Sequence, residues 1–447
     1  MYQDRRKFIK KSSLAIAGTG ASFIFPMELL ATIRKRVGPN DRINVGLIGC
    51  KGMGFSDLRS MLKMSEIDVI ALCDVDESVL KARTADLEKA GIKKPMWYKD
   101  YRKLLENKDI DVVIIGTPDH WHCLMLTDAL KAGKDVYCEK PIANSIQEAD
   151  IMLNYVTASD RIVQIGQWQR SQPHFVDAIN YVHSGKLGEI RLAKAWAYQG
   201  WMKPVPILAD KPTPEGVNYD MWLGPAPQRP FNQNRFHFNF RWFWDYAGGL
   251  MTDWGVHLID YALYGMKAGT PKSVMALGGK FAYPNDASET PDTLQTVFEY
   301  DSFSILWEHA TGIDGGNYGR NHGIAFIGNN GTLVLDRSGW EVIPEIDHGN
   351  ADKKPKIEAL PIQQNEGSGL DLHTLNFIEA VKSRDASSLN APIKVGYDAA
   401  LVSHMGNVAF KTGNRIYWDA DAGKFKEEAA NEFLKATYHN GWKLPML

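Results

Sequence analysis

The stretch Asn44-Val45-Gly46-Leu47-Ile48-Gly49-Cys50-Lys51-Gly52-Met53-Gly54 sets an apolar strand, a glycine turn and the start of a helix end to end. Gly49 closes the strand-to-helix turn, and Gly54 lets the helix approach the strand. That arrangement leaves the helix N-terminal amides, from Gly52 and Met53 onward, facing a pyrophosphate, which predicts a dinucleotide site. The middle position of the glycine pattern, where a missing side chain lets phosphate approach, is Lys51; Gly52 follows immediately and is the residue left to take over that task. Twenty residues after Gly54, at the end of a second apolar segment, stands Asp74 in Leu72-Cys73-Asp74-Val75-Asp76. A carboxylate there accepts hydrogen bonds from both hydroxyls of an adenosine ribose and repels a 2′-phosphate. No Arg lies within the next eight residues to receive such a phosphate, so the cofactor expected is NAD.

Outward from this turn the chain alternates apolar strands with helical runs, the pattern of a parallel sheet covered by helices. Strands are expected at 43–48, 68–73, 95–98, 112–115, 135–138 and 162–165, and helices at 55–64, 77–90, 100–106, 122–132 and 145–159. The fold class is α/β: residues 40–166 form a Rossmann domain with a doubly wound parallel sheet. Residues 167–447 read as an α+β domain for substrate binding and oligomerisation, with a large open, mostly antiparallel sheet from segments 189–198, 273–281, 293–300, 302–308, 322–327 and 332–335. A long Pro-rich loop, 202–239, interrupts that sheet, and loops of such length are usually functional. Segment 347–368 reads as an arm, and helices at 370–382 and 396–411 close the chain.

With 51 basic and 53 acidic side chains the formal charge is only −2, and no basic stretch beyond the N-terminus suits nucleic acid. The four cysteines, Cys50, Cys73, Cys123 and Cys138, have no CxxC spacing and read as small buried thiols. At the N-terminus, Arg5-Arg6-Lys7-Phe8-Ile9-Lys10 precedes an apolar stretch, 12–26, that is shorter than the ~20 residues a bilayer span needs. Residues 1–39 therefore read as a twin-arginine signal peptide and linker, with periplasmic export and no stable membrane anchor. An exported enzyme of this kind folds around its NAD in the cytoplasm. It must then return the tightly bound cofactor to its starting redox state in each cycle.

Two strand ends carry chemistry: Gly116-Thr117-Pro118-Asp119-His120-Trp121-His122 after the fourth, and Cys138-Glu139-Lys140-Pro141 after the fifth, both at the carboxyl edge where ligands of such folds sit. Farther on, Asp253 and His257 are four apart, which on a helix places them on one face, with Asp260 one turn beyond. Hydride removal from a secondary alcohol needs a group that takes the hydroxyl proton, and a histidine oriented by a carboxylate suits this; a lysine ammonium can stabilise the developing alkoxide. A zinc site is not expected, since these residues lack a Cys or second His at ligand spacing.

In these ordered motifs the chain, from about Ile43 to the C-terminus, resembles the Gfo/Idh/MocA oxidoreductases, and Gly331-Thr332-Leu333, Asn376-Phe377 and Thr412-Gly413 to Trp418-Asp419 look like its exported bacterial branch. The resemblance implies that Lys140 contacts the reacting hydroxyl and that Pro141 follows a cis bond, a state within ~0.5 to 1 kcal/mol of trans. It further implies that Asp253 and His257 are the substrate-binding carboxylate and the catalytic histidine. By the same resemblance Thr117, Pro118 and His122 are expected to form the nicotinamide-side loop, with Glu139 and Lys140 also at the cofactor; Asp119 stands where the family frequently has an Asn. We assign His257 as base, Asp253 as its orienter or a second hydroxyl acceptor, and Lys140 as alkoxide stabiliser, with Lys140 as the alternative base.

Trp168, Trp196, Trp201, Trp222, Trp242, Trp244 and Trp254 crowd the second domain, and aromatic faces suit the apolar faces of pyranose rings. Arg170, His237, Arg241 and Trp244 are the expected substrate contacts. The reading is an NAD-dependent dehydrogenase acting on a ring hydroxyl of a sugar or glycoside. A redox-neutral glycosidase, which oxidises, eliminates, hydrates and reduces, is similar to one branch of that family and would use the same residues, but that branch departs from the Glu139-Lys140-Pro141 pattern kept here. A non-catalytic sugar-binding protein is a further alternative, disfavoured by the full Lys140, Asp253 and His257 set. By resemblance the protein is expected to form a homodimer or tetramer through the open face of the second sheet.

Overall fold

The computed structural model describes residues 42–349 and 352–446. The twin-arginine segment lies outside them. The nucleotide sheet is built from β1 (Ile43–Ile48), β2 (Ile67–Cys73), β3 (Met96–Tyr98), β4 (Val112–Ile115), β5 (Asp135–Cys138) and β6 (Val163–Ile165), all parallel, in the order β3-β2-β1-β4-β5-β6. The strands are short and apolar because both faces are covered: every residue of β4, β5 and β6 is buried. The crossover helices are α1 (Gly52–Met61), α2 (Glu77–Lys89), α3 (Tyr101–Leu105), α4 (His122–Lys131) and α5 (Ile146–Thr157). Side-chain caps start three of them: Asp76 accepts from Ser78 N–H, Asp100 from Arg102 N–H, and Ser145 from Glu148 N–H.

Helix α6 (Pro173–His183) leads into β7 (Ile190–Gln199), the centre of the second domain. The long 202–239 loop contains a short helix α7 (Tyr219–Leu223) and is followed by α8 (Leu250–Asp253) and α9 (Gly255–Met266). Strands β8 (Ser273–Gly279), β9 (Thr293–Glu299), β10 (Ser304–Thr311), β11 (His322–Gly328), β12 (Gly331–Leu335), β13 (Gly339–Pro344), β14 (Leu360–Gln364), β15 (Ile416–Asp419) and β16 (Lys424–Phe425) complete a ten-stranded sheet. Only the β7–β10 pair within it is parallel; the other pairings are antiparallel. β8 alternates buried Val274 and Ala276 with exposed Met275 and Leu277, so one face packs on helices and the other stays open. The expected arm contributes β14 as an edge strand.

The last two long helices tie the domains together. Helix α10 (Gly369–Ser383) returns to the nucleotide domain, where Ser60 Oγ donates to Asp371 Oδ1 at 2.7 Å and His373 Nε2 lies 2.8 Å from the Ile165 carbonyl. Its Phe377 and Ile378 are buried in the same core as Val45, Leu47 and Tyr137. Helix α11 (Ile393–Thr412) spans both domains: His404 Nε2 lies 3.0 Å from the Ala143 carbonyl, while Val402 and Met405 pack in the core of the large sheet.

Candidate active site

A cavity of about 560 Å³ opens along the carboxyl edge of the nucleotide sheet. Its walls explain the glycine pattern. An added Cβ at Gly54 would stand 2.3 Å from the Gly49 carbonyl oxygen, and one at Gly116 would stand 2.5 Å from Gly54 Cα, so α1 rests directly on β1 and β4. Gly52 is different: its φ is +53° and a Cβ there would meet nothing within 4 Å, so it fronts open space. Lys51, Gly52 and Met53 line the cavity beside it. These are the properties a pyrophosphate site requires, with Gly52 in the role that Lys51 cannot fill.

Asp74 also lines the cavity; its Oδ2 accepts from Cys50 N–H at 2.8 Å and its Oδ1 from Asp76 N–H at 3.0 Å. Burial pushes its carboxyl up to about 6, against the opposing pull of these amides. Two ribose hydroxyls donating to it would favour the ionised form. The donor set, the packed turn and the open Gly52 thus fit NAD.

At the other end of the cavity the Lys140–Pro141 peptide is cis. Lys140 Nζ donates to Asp253 Oδ1 and to the Asp253 carbonyl, each at 3.0 Å, and Arg241 Nε donates to the same Oδ1 at 3.2 Å. Burial raises the Asp253 carboxyl, but the charges of Lys140 and Arg241 and their hydrogen bonds more than offset it and hold the group at about 2. Thr117, Pro118, Asp119 and Glu139 complete this end. Burial pushes Asp119 up to about 8 and Glu139 up to about 7. Near neutral pH Asp119 is therefore protonated and offers one donor and one acceptor, as an Asn amide would.

His257 is buried, with no partner for Nδ1 among the described residues. Burial, then the Lys140 charge, holds it well below the ordinary imidazole value, so the ring is neutral. Asp253 does not orient it. The helix is interrupted at Trp254 between α8 and α9, and the Asp253 carboxylate pairs with two cations rather than with a neutral ring. The acid expected to position the histidine instead positions the lysine.

Four other expected contacts sit elsewhere. Arg170 forms a two-point ion pair with Asp260, Nε to Oδ2 at 2.9 Å and Nη2 to Oδ1 at 2.6 Å, and stacks 4.0 Å above Tyr264. With both partners nearly buried, this joins α9 to the segment before α6 and commits Arg170 Nε and Nη2 to Asp260. Trp244 donates from its indole to the Glu289 carbonyl at 3.1 Å, with Lys411 Nζ 3.9 Å over its ring, and it does not line the cavity. His237 does line it, but beside the adenosine end, where Nε2 lies 2.8 Å from Asp76 Oδ2. His122 is a brace: its two ring nitrogens lie 2.7 Å from the Pro141 carbonyl and 2.9 Å from the Thr117 carbonyl, fixing both loops from behind. Arg241 is the expected substrate contact that stays at the reactive end.

The long loop borders the cavity. Met221, Trp222, His237 and Phe238 from it form one wall of the cavity. Of these, Met221 and Phe238 gave no positional signal beyond the loop's length.

A Rossmann sheet with this turn and an acidic ribose site, with Lys140 at the other end of the same cavity, defines a nicotinamide-dinucleotide-binding fold. The family model described as oxidoreductase family, NAD-binding Rossmann fold, matches residues 43–167, and that described as oxidoreductase family, C-terminal alpha/beta domain, matches residues 194–444. The chain belongs to the Gfo/Idh/MocA oxidoreductase family. It is similar to a glycosyl hydrolase family 109 protein from Shewanella pealeana, 26% identical over 205 residues, which are 42% of this chain and 45% of that protein. The chain thus spans less than half the length of that relative. Among solved structures, levoglucosan dehydrogenase in complex with NADH and levoglucosan has a TM-score of 0.62 at 19% identity, covering 84% of this chain and 99% of that one. Aldose-aldose oxidoreductase from Caulobacter crescentus complexed with glycerol has a TM-score of 0.61 at 18% identity, with 84% and 100% covered. At these identities the likeness is one of fold.

Proposed function

We propose that the protein is an exported NAD-dependent oxidoreductase that oxidises a ring hydroxyl of a sugar or glycoside to a ketone. The observation that carries this reading is the Lys140 ammonium, fixed by Asp253 at the reactive end of the dinucleotide cavity. When bound, NAD supplies the acceptor for the hydride leaving the carbinol carbon. The chain's own residues handle the proton and the oxygen. Neutral His257 takes the hydroxyl proton as the C–H bond breaks, so that alcohol and oxidised cofactor become ketone, reduced cofactor and one proton on the imidazole. Lys140 donates to the oxygen as it gains negative charge, and Asp253 with Arg241 keeps Lys140 aimed. The same groups run in reverse when a second sugar or keto-sugar takes the hydride back, which closes the cycle without exchange of cofactor.

Export is supported by Arg5-Arg6 ahead of the apolar 12–26 stretch. Carbohydrate as substrate is supported by the two sugar-oxidising structural neighbours. Lys140→Ala and His257→Ala are expected to retain bound NAD while hydride transfer falls by about 10²-fold or more. Normal turnover by the Lys140 variant would overturn the assignment. A redox-neutral glycosidase is the second reading, favoured by the glycosyl hydrolase relative; release of free sugar from an aryl glycoside without added cofactor would place it first.

A further inference from the structure

Arg337 sits in the turn between β12 and β13, where Asp336 Oδ1 accepts from Ser338 N–H at 2.8 Å and Gly339 N–H at 3.1 Å and pairs with Arg320 at 3.1 Å. The turn is thus held firmly. From it the Arg337 guanidinium passes between two indoles, 5.0 Å from the Trp168 ring centre and 4.6 Å from that of Trp254. It has no ion pair and no hydrogen bond among the described residues, and its Nε is fully buried without a partner.

The surroundings include His257. Both indoles stand edge-on to His257, with ring centres 6.4 Å away, and His322 lies against Trp254 at 4.9 Å with its Nε2 buried and unpartnered. The Arg337 charge is felt at His257, and that of Asp253 at Arg337. Asp253 is already shared by Lys140 and Arg241, so it does not serve as the counter-ion of Arg337. A desolvated cation without a carboxylate is costly, and two cation–π contacts offset only part of that cost.

We propose, resting on the sugar-oxidising reading above, that the substrate is an acidic sugar whose carboxylate is taken by Arg337, with the Trp168 and Trp254 rings beside it. A carboxylate is the counter-ion that the unpartnered guanidinium lacks, and Arg favours it through its planar donor fork. Arg337 is then a specificity-determining residue, and the neutral sugars that fit the rest of the site are poorer ligands.

The test compares methyl glucoside with methyl glucuronide, and methyl galactoside with methyl galacturonide, on enzyme loaded with NAD. Calorimetric binding and the absorbance of reduced nicotinamide are both read. In at least one pair the uronide is expected to bind ~10- to 100-fold more tightly, and Arg337→Gln is expected to bring that ratio close to one. Arg337→Lys should restore only part of it, since an ammonium lacks the planar fork. Equal binding of both members of each pair by the wild type would overturn the proposal, as would an Arg337→Gln protein that retains NAD and the wild-type preference. Uronide binding without any nicotinamide reduction would keep the anion site and count against the dehydrogenase reading. Nicotinamide reduction by neutral glycosides alone would do the reverse.

Discussion

Substituting alanine at Gly52 and at Gly54 should weaken cofactor binding for two different reasons. At Gly54 the new Cβ would lie 2.3 Å from the Gly49 carbonyl oxygen and 3.2 Å from Gly116 Cα. Carbon atoms in good contact sit ~3.5 to 4.0 Å apart, so α1 must retreat from the sheet by roughly 1 Å. Overpacking of this kind costs ~1 to 3 kcal/mol and withdraws the helix N-terminus from the pyrophosphate. At Gly52 the Cβ meets nothing within 4 Å, and the cost is that of a left-handed backbone at φ +53°, about 1 to 2 kcal/mol. The added methyl group then occupies the space through which phosphate approaches, which should lower NAD affinity by ~10-fold or more, or about 1.4 kcal/mol. Urea unfolding of the cofactor-free proteins and NAD titration by calorimetry separate the two effects. Gly54→Ala should lose stability and affinity together, whereas Gly52→Ala should lose affinity out of proportion to its stability. Wild-type NAD affinity in Gly52→Ala would refute the reasoning that Gly52 replaces the missing middle glycine.

Arg170→Ala should cost ~3 to 5 kcal/mol of stability in urea unfolding, because it strands the buried Asp260 carboxylate, while the substrate KM stays unchanged. Asp119, pushed up by burial to about 8, binds a proton in the folded state that the unfolded chain has released above about pH 4. Its contribution is complete below that pH and is lost as pH rises through 8, so Asp119→Asn should gain stability relative to the wild type between pH 5 and pH 8, followed by chemical denaturation. All four cysteines are buried, and burial pushes every thiol up; none should react with a thiol-specific dye until the protein unfolds. The exposed Met275, Leu277 and Val297 lie on the open face of the large sheet, so light scattering should report a dimer or tetramer that a Leu277→Lys change dissociates.

The nucleotide domain was legible in the sequence because its signals are local. Short apolar strands, the Gly49 to Gly54 turn and the acid at position 74 each follow from a few adjacent residues. Helix α10 was legible as a helix but not as a cover for the Rossmann sheet. The pattern around Phe377 and Ile378 marks an apolar face without saying which sheet it meets. The pair Asp253 and His257 misled for a related reason. Four-residue spacing describes one helix, whereas the partner that captures Asp253 is Lys140, 113 residues away in the chain. Arg170, His237 and Trp244 were chosen by residue type near the long loop, and type carries no direction. Asp260, Asp76 and Glu289 claimed them. Arg337 gave no signal at all, since a single arginine in an Asp-Arg-Ser turn is ordinary until its partners are found missing.

The central proposal is that His257 takes the proton of a sugar hydroxyl, with Lys140 held at its oxygen by Asp253, while bound NAD takes the hydride. Its most direct test is the absorbance of reduced nicotinamide after enzyme carrying one equivalent of NAD is mixed with glucosides, galactosides, their uronides and free sugars. The account predicts a rise stoichiometric with enzyme for one sugar class, reversed when a keto-sugar is added. No rise with any of them, while NAD stays demonstrably bound, would contradict it.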